Sequence, residues 1–280
     1  MSYKTILVNL NETHRVGPLL DSALIIARKY QAHIIGLHVI PPFNMSVMSD
    51  PFGVTPEIVN EYLGARKVQA DEVEAAFRSG TEKEGVSCEW RCVDALSNWS
   101  ERHLIKHARC ADLIISDQGA VEGGFSEQTK MTEQLIVASG RPVLVIPNSG
   151  SLASIGDFPL VAWNGSQQAS RAVFNAMPFL KSAKEVKVIW VDPNEPDEEL
   201  DLAGSEIGTT LARHDIKVEV AAVNSDHASD GETLIEQVRE YASDLLVMGA
   251  YGHSQFQEYF LGGATRSVLK LMTVPVLFSH

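Results

Sequence analysis

Cysteine is scarce in this chain: three residues in 280, at positions 88, 92 and 110, an odd count that excludes a disulfide framework. Cations are also in deficit, with 23 Lys and Arg against 36 Asp and Glu and a formal charge of −13. Nucleic acid attracts concentrated Lys and Arg, and no basic cluster offsets this acidity, so a nucleic-acid partner is excluded. No apolar run reaches the roughly 18 residues of a membrane span. The sequence from Met1 to Val8 leads into a strand-like run without a charged leader, which places the expected protein in the cytoplasm. The G-x4-G-K-[ST] phosphate loop is missing as well, and with it the usual phosphate-clamping lysine. What remains, 45% apolar and 21% charged residues, is the composition of a globular protein of one large or two modest domains.

Hydrophobic period alternates between strand and helix along the whole length. Ile6–Leu10 and Ile34–Ile40 are strands, and between them Leu20, Ala23, Leu24 and Ala27 form one helical stripe after Gly17-Pro18. Thr55-Pro56 opens a long helix expected to run toward Gly80. A strand at Cys88–Val93, a helix at Trp99–Ala108, a strand at Asp112–Ser116, a helix from Gln128 to Ala138 and a strand at Pro142–Ile146 follow. Cys88 and Cys92 share one face of their strand and have no partner pair at ligand spacing, so they are expected to be buried structural thiols.

The series then repeats. Leu160–Trp163 is a strand, and Ala169, Ala172, Val173, Ala176 and Leu180 form one stripe of a single helix. Val186–Val191, Val218–Val223, Leu245–Met248 and Val274–Phe278 are further strands. Helices end near His214 and cover Thr233–Tyr241 and Thr265–Met272. Ala162 follows its counterpart Asn9 by 153 positions, and Ser243 follows Ala111 by 132, so about twenty extra residues lie in the first copy, between Pro41 and Gly85. Such alternation predicts parallel βαβ units, here two tandem α/β domains, 1–150 and 151–280, joined by the polar stretch 147–157.

One segment carries chemistry. After the apolar strand ending at Met248, the chain reads Gly249-Ala250-Tyr251-Gly252-His253, and it enters its last helix through Gly262-Gly263-Ala264-Thr265. Parallel sheets bind ligands at the carboxyl ends of their strands. Unpaired amides at a helix N-terminus, freed of side chains by glycine, suit a phosphate chain. The competing reading is a glycine-tolerant turn.

The spacing Gly249-x2-Gly252-x9-Gly262 resembles the G-2x-G-9x-G-(S/T) signature of the universal stress protein family. The start Ala162 to Ser166, the strand end Val191-Asp192-Pro193 and the closing Val-Pro-Val-Leu add to the likeness, which extends over both halves. The resemblance implies two five-stranded parallel, Rossmann-like domains of the adenine-nucleotide alpha-hydrolase type, their last strands pairing antiparallel in an internal pseudo-dimer. It implies ATP, ADP or AMP as ligand, with Mg2+ as a companion ion. Phosphate and ribose would meet Gly249, Gly252, His253, Gly262, Gly263, Ala264 and Thr265. Adenine would lie against Ala162, Val191 and Met248. Asn164 stands where the family has Asp, and Gly263 where it has Ser or Thr.

The first copy departs further. Asn11 again replaces the Asp, Ser116-Asp117 stands opposite Met248-Gly249, and Ala120 opposite Gly252. A carboxylate at Asp117 repels phosphate, so this half is expected to be degenerate, with a structural or regulatory role. No catalytic group is assigned: His253, Glu258 and Arg266 each have an ordinary surface reading, and ATP hydrolysis would at most be slow. His103 and His107, spaced i, i+4, lack a third metal ligand. Implied partners are the nucleotide, the other half of the chain, a second copy and an unidentified protein. The rival reading is a non-nucleotide interaction protein of the same fold.

Overall fold

The computed structural model describes residues 2–41, 43, 55–94, 100–119, 127–150, 152–192, 198–251 and 263–280. The chain divides into two compact units, residues 4–116 and residues 117–280 with 1–3.

In the first unit β1 (Thr5–Asn9), β2 (His33–Ile40), β3 (Cys88–Asp94) and β4 (Leu113–Asp117, its last residue passing into the second unit) lie in the order β3-β2-β1-β4, all parallel. They alternate with α1 (Val16–Tyr30), α2 (Pro56–Glu84) and α3 (Ser100–Ala108). Ile6, Leu7 and Val8 of β1 are all buried, because helices cover both faces of a parallel sheet; this is why the strand reads as an unbroken apolar run. The expected stripe of α1 is also buried throughout.

Pro56 starts α2 as the sequence suggests, but the helix passes Gly80 and stops at Gly85, which takes the left-handed conformation (φ +61°). Gly80 serves packing instead. A Cβ there would stand 2.4 Å from Leu20 Cδ2, so the glycine lets α2 approach α1. The expectation of buried thiols is corrected: Cys88 is half-buried, and Cys92 and Cys110 are exposed. The reason is position, since β3 is the edge strand of its sheet and its side chains alternate between partial cover and solvent.

The second unit holds β5 (Val143–Ile146), β6 (Pro159–Ala162), β7 (Val186–Val191), β8 (Val218–Val223), β9 (Leu245–Gly249) and β10 (Val276–Ser279). Their order is β5-β10-β9-β6-β7-β8. Neighbours from β10 to β8 run parallel, whereas β5 and β10 pair antiparallel, with Val276 opposite Val145 and Phe278 opposite Val143. Antiparallel pairing of the two closing strands is what the resemblance implied. The chain winds outward from β6 to β8 and returns on the other side through β9, so the topological switch point lies between β6 and β9.

The helices of this unit are α4 (Glu127–Ala138), α5 (Gln167–Asn175), α6 (Met177–Ser182), α7 (Glu198–Ala212), α8 (Asp230–Glu240) and α9 (Gly263–Leu271). The single stripe read from Ala169 to Leu180 is two helices. Pro178, without an N–H, cannot continue α5 and instead occupies the first turn of α6. Ser229 and Glu232 form a capping box that starts α8 earlier than its apolar stripe suggests. The end of the expected linker is pinned: the Asp244 carboxylate accepts from Ser154 Oγ (2.7 Å) and from the amides of Asp157 (2.9 Å) and Phe158 (2.8 Å). Among the described residues no helix is long and apolar enough to cross a membrane.

Candidate functional site

Strand register brings separated positions to one edge at the switch point. Val161 lies beside Val247, which sets Ala162 level with Met248 at the carboxyl ends of β6 and β9. On the other side Ala162 lies beside Ile189, so Val191 ends β7 level with Asn164. Met248 is buried, Ala162 and Val191 are half-buried, and Asn164 is exposed. Gly252, His253 and Gly262, together with Glu258, lie outside the described residues.

Gly249 has a structural task. A Cβ on it would stand 2.6 Å from both the amide nitrogen of Ala169 and the carbonyl carbon of Gln168, so the end of β9 presses on the first turn of α5. That turn is capped by Ser166, whose Oγ accepts from the Ala169 amide (3.1 Å). The Ser166 amide in turn donates to Asn164 Oδ1 (3.2 Å). Among the described residues nothing accepts from Asn164 Nδ2, so this amide keeps its donors for something else.

Tyr251 takes a left-handed conformation (φ +59°), and its amide donates to Thr265 Oγ1 (3.4 Å). This bond ties the start of the 252–262 connection to the first turn of α9, and it accounts for the buried hydroxyl of Thr265. The Tyr251 ring meets His280 edge-on (6.2 Å between centroids), and its hydroxyl is buried without a partner among the described residues. Burial, and then the nearby charge of Glu133, push the Tyr251 phenol far up, against an opposing pull from Arg266. Burial likewise raises Glu133, again opposed by Arg266. Arg266, for which the sequence offers a surface reading, thus acts on these two groups.

Gly263 is exposed, and among the described residues a Cβ there would meet nothing within 4 Å. Ala264 is half-exposed beside it. In the first copy Gly119, which stands opposite Tyr251, packs on α4: a Cβ on it would stand 2.3 Å from Thr129 Oγ1 and 2.9 Å from the Thr129 amide. Asp117 is buried there, its Oδ1 accepting from the Gly119 amide (3.0 Å) and its carbonyl from Thr132 Oγ1 (2.8 Å).

Asn11, the first-unit counterpart of Asn164, is fully engaged. Its Oδ1 accepts from the Val39 amide (3.2 Å), its Nδ2 donates to Asn9 Oδ1 (2.8 Å), and its carbonyl accepts from Gln69 Nε2 (3.0 Å). Asn9 passes the chain of bonds on to Ser116 Oγ (3.2 Å). His107 is also occupied, with Nδ1 3.2 Å from Arg91 Nη1, and burial and Arg91 lower its pKa. Among the described residues no group of three His, Cys, Asp or Glu is placed to hold a metal ion.

The parallel strands from β10 to β8, with helices between them and a switch point between β6 and β9, define a doubly wound α/β fold. Residues 160–280 match the model of the universal stress protein family. A universal stress protein of a Synechocystis species is 28% identical over 150 residues, 52% of this chain. The aligned stretch spans about half of that relative's own length (49%). Among solved structures, a universal stress protein from Archaeoglobus fulgidus is similar with a TM-score of 0.73 at 20% identity, covering 98% of this chain and 97% of its own. A protein of unknown function from Pseudomonas aeruginosa follows the same course with a TM-score of 0.61 at 16% identity, covering 99% and 92%. At these identities the likeness establishes the fold.

Proposed function

We propose that the chain is a tandem universal stress protein, with copies at residues 1–150 and 151–280, whose second copy binds ATP or a related adenine nucleotide at the β6–β9 switch point. The observation that carries this reading is the contrast between two asparagines at matching strand ends. Asn11 is saturated by Val39, Asn9 and Gln69, whereas Asn164 offers its Nδ2 to an incoming base. The phosphates would lie against the first amides of α9, where Gly263 carries no side chain. A protein of net charge −13 binds an anion through backbone dipoles rather than a field of cations. The first copy, with Asp117 buried and Gly119 closed against Thr129, acts as a structural partner.

The test is titration of a fluorescent ATP analogue into the full chain and into Gly252→Asp, Gly262→Asp and Asn11→Ala. The first two changes place a carboxylate among the phosphates and should weaken binding at least tenfold, while Asn11→Ala should leave it unchanged. Equal affinity in all four proteins would overturn the assignment.

A further inference from the structure

The first unit has a concavity of its own, between α2 and the edge strand β3. Trp90, Cys92 and Asp94 come from alternate positions of β3, while Lys67, Asp71 and Glu74 come from two successive turns of α2. Ile40, Leu63 and Ala70 complete the apolar part, and the cavity measures about 290 Å³.

One wall is rigid and aromatic. The Trp90 ring packs on Phe77 (5.4 Å between centroids) and stacks beside His38 (6.4 Å, 24° between planes). Gly36 gives it room, since a Cβ there would stand 2.8 Å from both the Trp90 and Phe77 rings. The second copy lacks this arrangement: Val220 takes the place of Trp90 on β8, and α7 closes on it through Gly208, whose Cβ would stand 2.7 Å from Val220 Cγ2.

The rim is negative. Glu74 pairs with Arg78 (2.6 Å), but among the described residues neither Asp71 nor Asp94 joins an ion pair, and Lys67 is the single cation lining the cavity. The thiol of Cys92 registers this potential: burial and the charges of Glu74, Asp94 and Asp71 raise its pKa. The apolar wall of Ile40, Leu63, Ala70 and Trp90 beside these carboxylates suits a cation that carries a carbon chain.

We propose that this groove binds a small alkylammonium ion, with its carbon chain on the face of Trp90 and its charge between Asp71 and Asp94. The inference is independent of the nucleotide reading.

The test uses the full chain and n-butylammonium chloride as probe, read from the Trp90 indole N–H in nitrogen–proton spectra, with Trp90→Phe assigning the signal. That N–H is buried without an acceptor among the described residues, so its shift follows the packing around the Trp90 ring. Expected are a saturable shift, no shift with n-butanol at matched ionic strength, and at least fivefold weaker binding in Asp71→Asn and Asp94→Asn. Lys67→Met, at an exposed position, should tighten binding at least twofold. An equal response to n-butanol, affinity unchanged in both Asp variants, or weaker binding in Lys67→Met would each overturn the proposal. Gly262→Asp, which tests the nucleotide reading, should leave the shift unaltered.

Discussion

Gly249→Ala separates packing from ligand contact at the most informative glycine of the chain. The added Cβ would sit 2.6 Å from two backbone atoms of α5, short of ordinary contact at 3.4 Å by 0.8 Å. Neither atom belongs to a flexible side chain, so the end of β9 or the first turn of α5 must move. Overpacking of this kind costs roughly 1–3 kcal/mol. At about 2–4 °C per kcal/mol for a domain of this size, the melting temperature should fall by roughly 2–12 °C. The displaced atom is the Ala169 amide, the one that Ser166 Oγ caps, so the same shift should break a bond whose loss ordinarily costs about 1 kcal/mol. Calorimetry on Gly249→Ala, Ser166→Ala and the double variant checks both points. In the double variant the Ser166 effect should shrink, because the cap is already lost. A Gly249→Ala melt within about 1 °C of the parent, or full additivity with Ser166→Ala, would refute the argument.

Gly263→Ala should behave in the opposite way. Its methyl meets no atom of the described residues and favours helix by up to about 1 kcal/mol, so thermal stability should hold or rise, while ATP-analogue affinity falls at least threefold; a lower melting temperature would contradict this reasoning. His38 supplies a pH signature. Its ring is buried with Nδ1 2.7 Å from the Leu10 carbonyl, and burial, reinforced by Arg66 and opposed by the Leu10 bond, holds its pKa below the ordinary 6.5. Unfolding then takes up a proton below pH 6.5, so stability present at neutral pH is lost as pH falls, with a slope of at most about 1.4 kcal/mol per pH unit from this group. Urea midpoints at pH 5 and 7 should converge in His38→Asn relative to the parent; an unchanged gap would show that other groups set the dependence.

The strands and the glycine spacing were legible in sequence, because each depends on local period or on a short motif, whereas the antiparallel meeting of the closing strands came from the family resemblance alone. What close approach decides was not. Gly80 looks like a helix stop until Leu20 is seen against it, and Gly249 looks like a phosphate residue until α5 is seen beneath it. Cys88 and Cys92 were misread because apolar alternation cannot tell an edge strand from a central one. The Trp90 groove was invisible for a related reason, since its two sides lie on different elements, α2 and β3, and meet only in the fold.

The same limit bears on why two matching asparagines differ. Asn11 and Asn164 are the same residue at equivalent strand ends, so composition and spacing assign them one role. The side chains differ because Asn9 accepts from Asn11 Nδ2 where the second copy has Ala162, and the backbone differs through Gln69. Gln69 lies on α2, a helix of 29 residues in the stretch that holds the first copy's surplus length, whereas α7, its counterpart, has 15. From there Gln69 takes the Asn11 carbonyl, while Val39 and Asn9 take its side chain. The inserted length thus does two things at once: it helps tie down the strand end where the second copy keeps a free amide, and it builds, against β3, a groove of opposite electrical character. The Asn11 side chain is held by Asn9, where the second copy has Ala162 and so no side-chain acceptor, and the longer helix adds only the bond to the Asn11 backbone carbonyl.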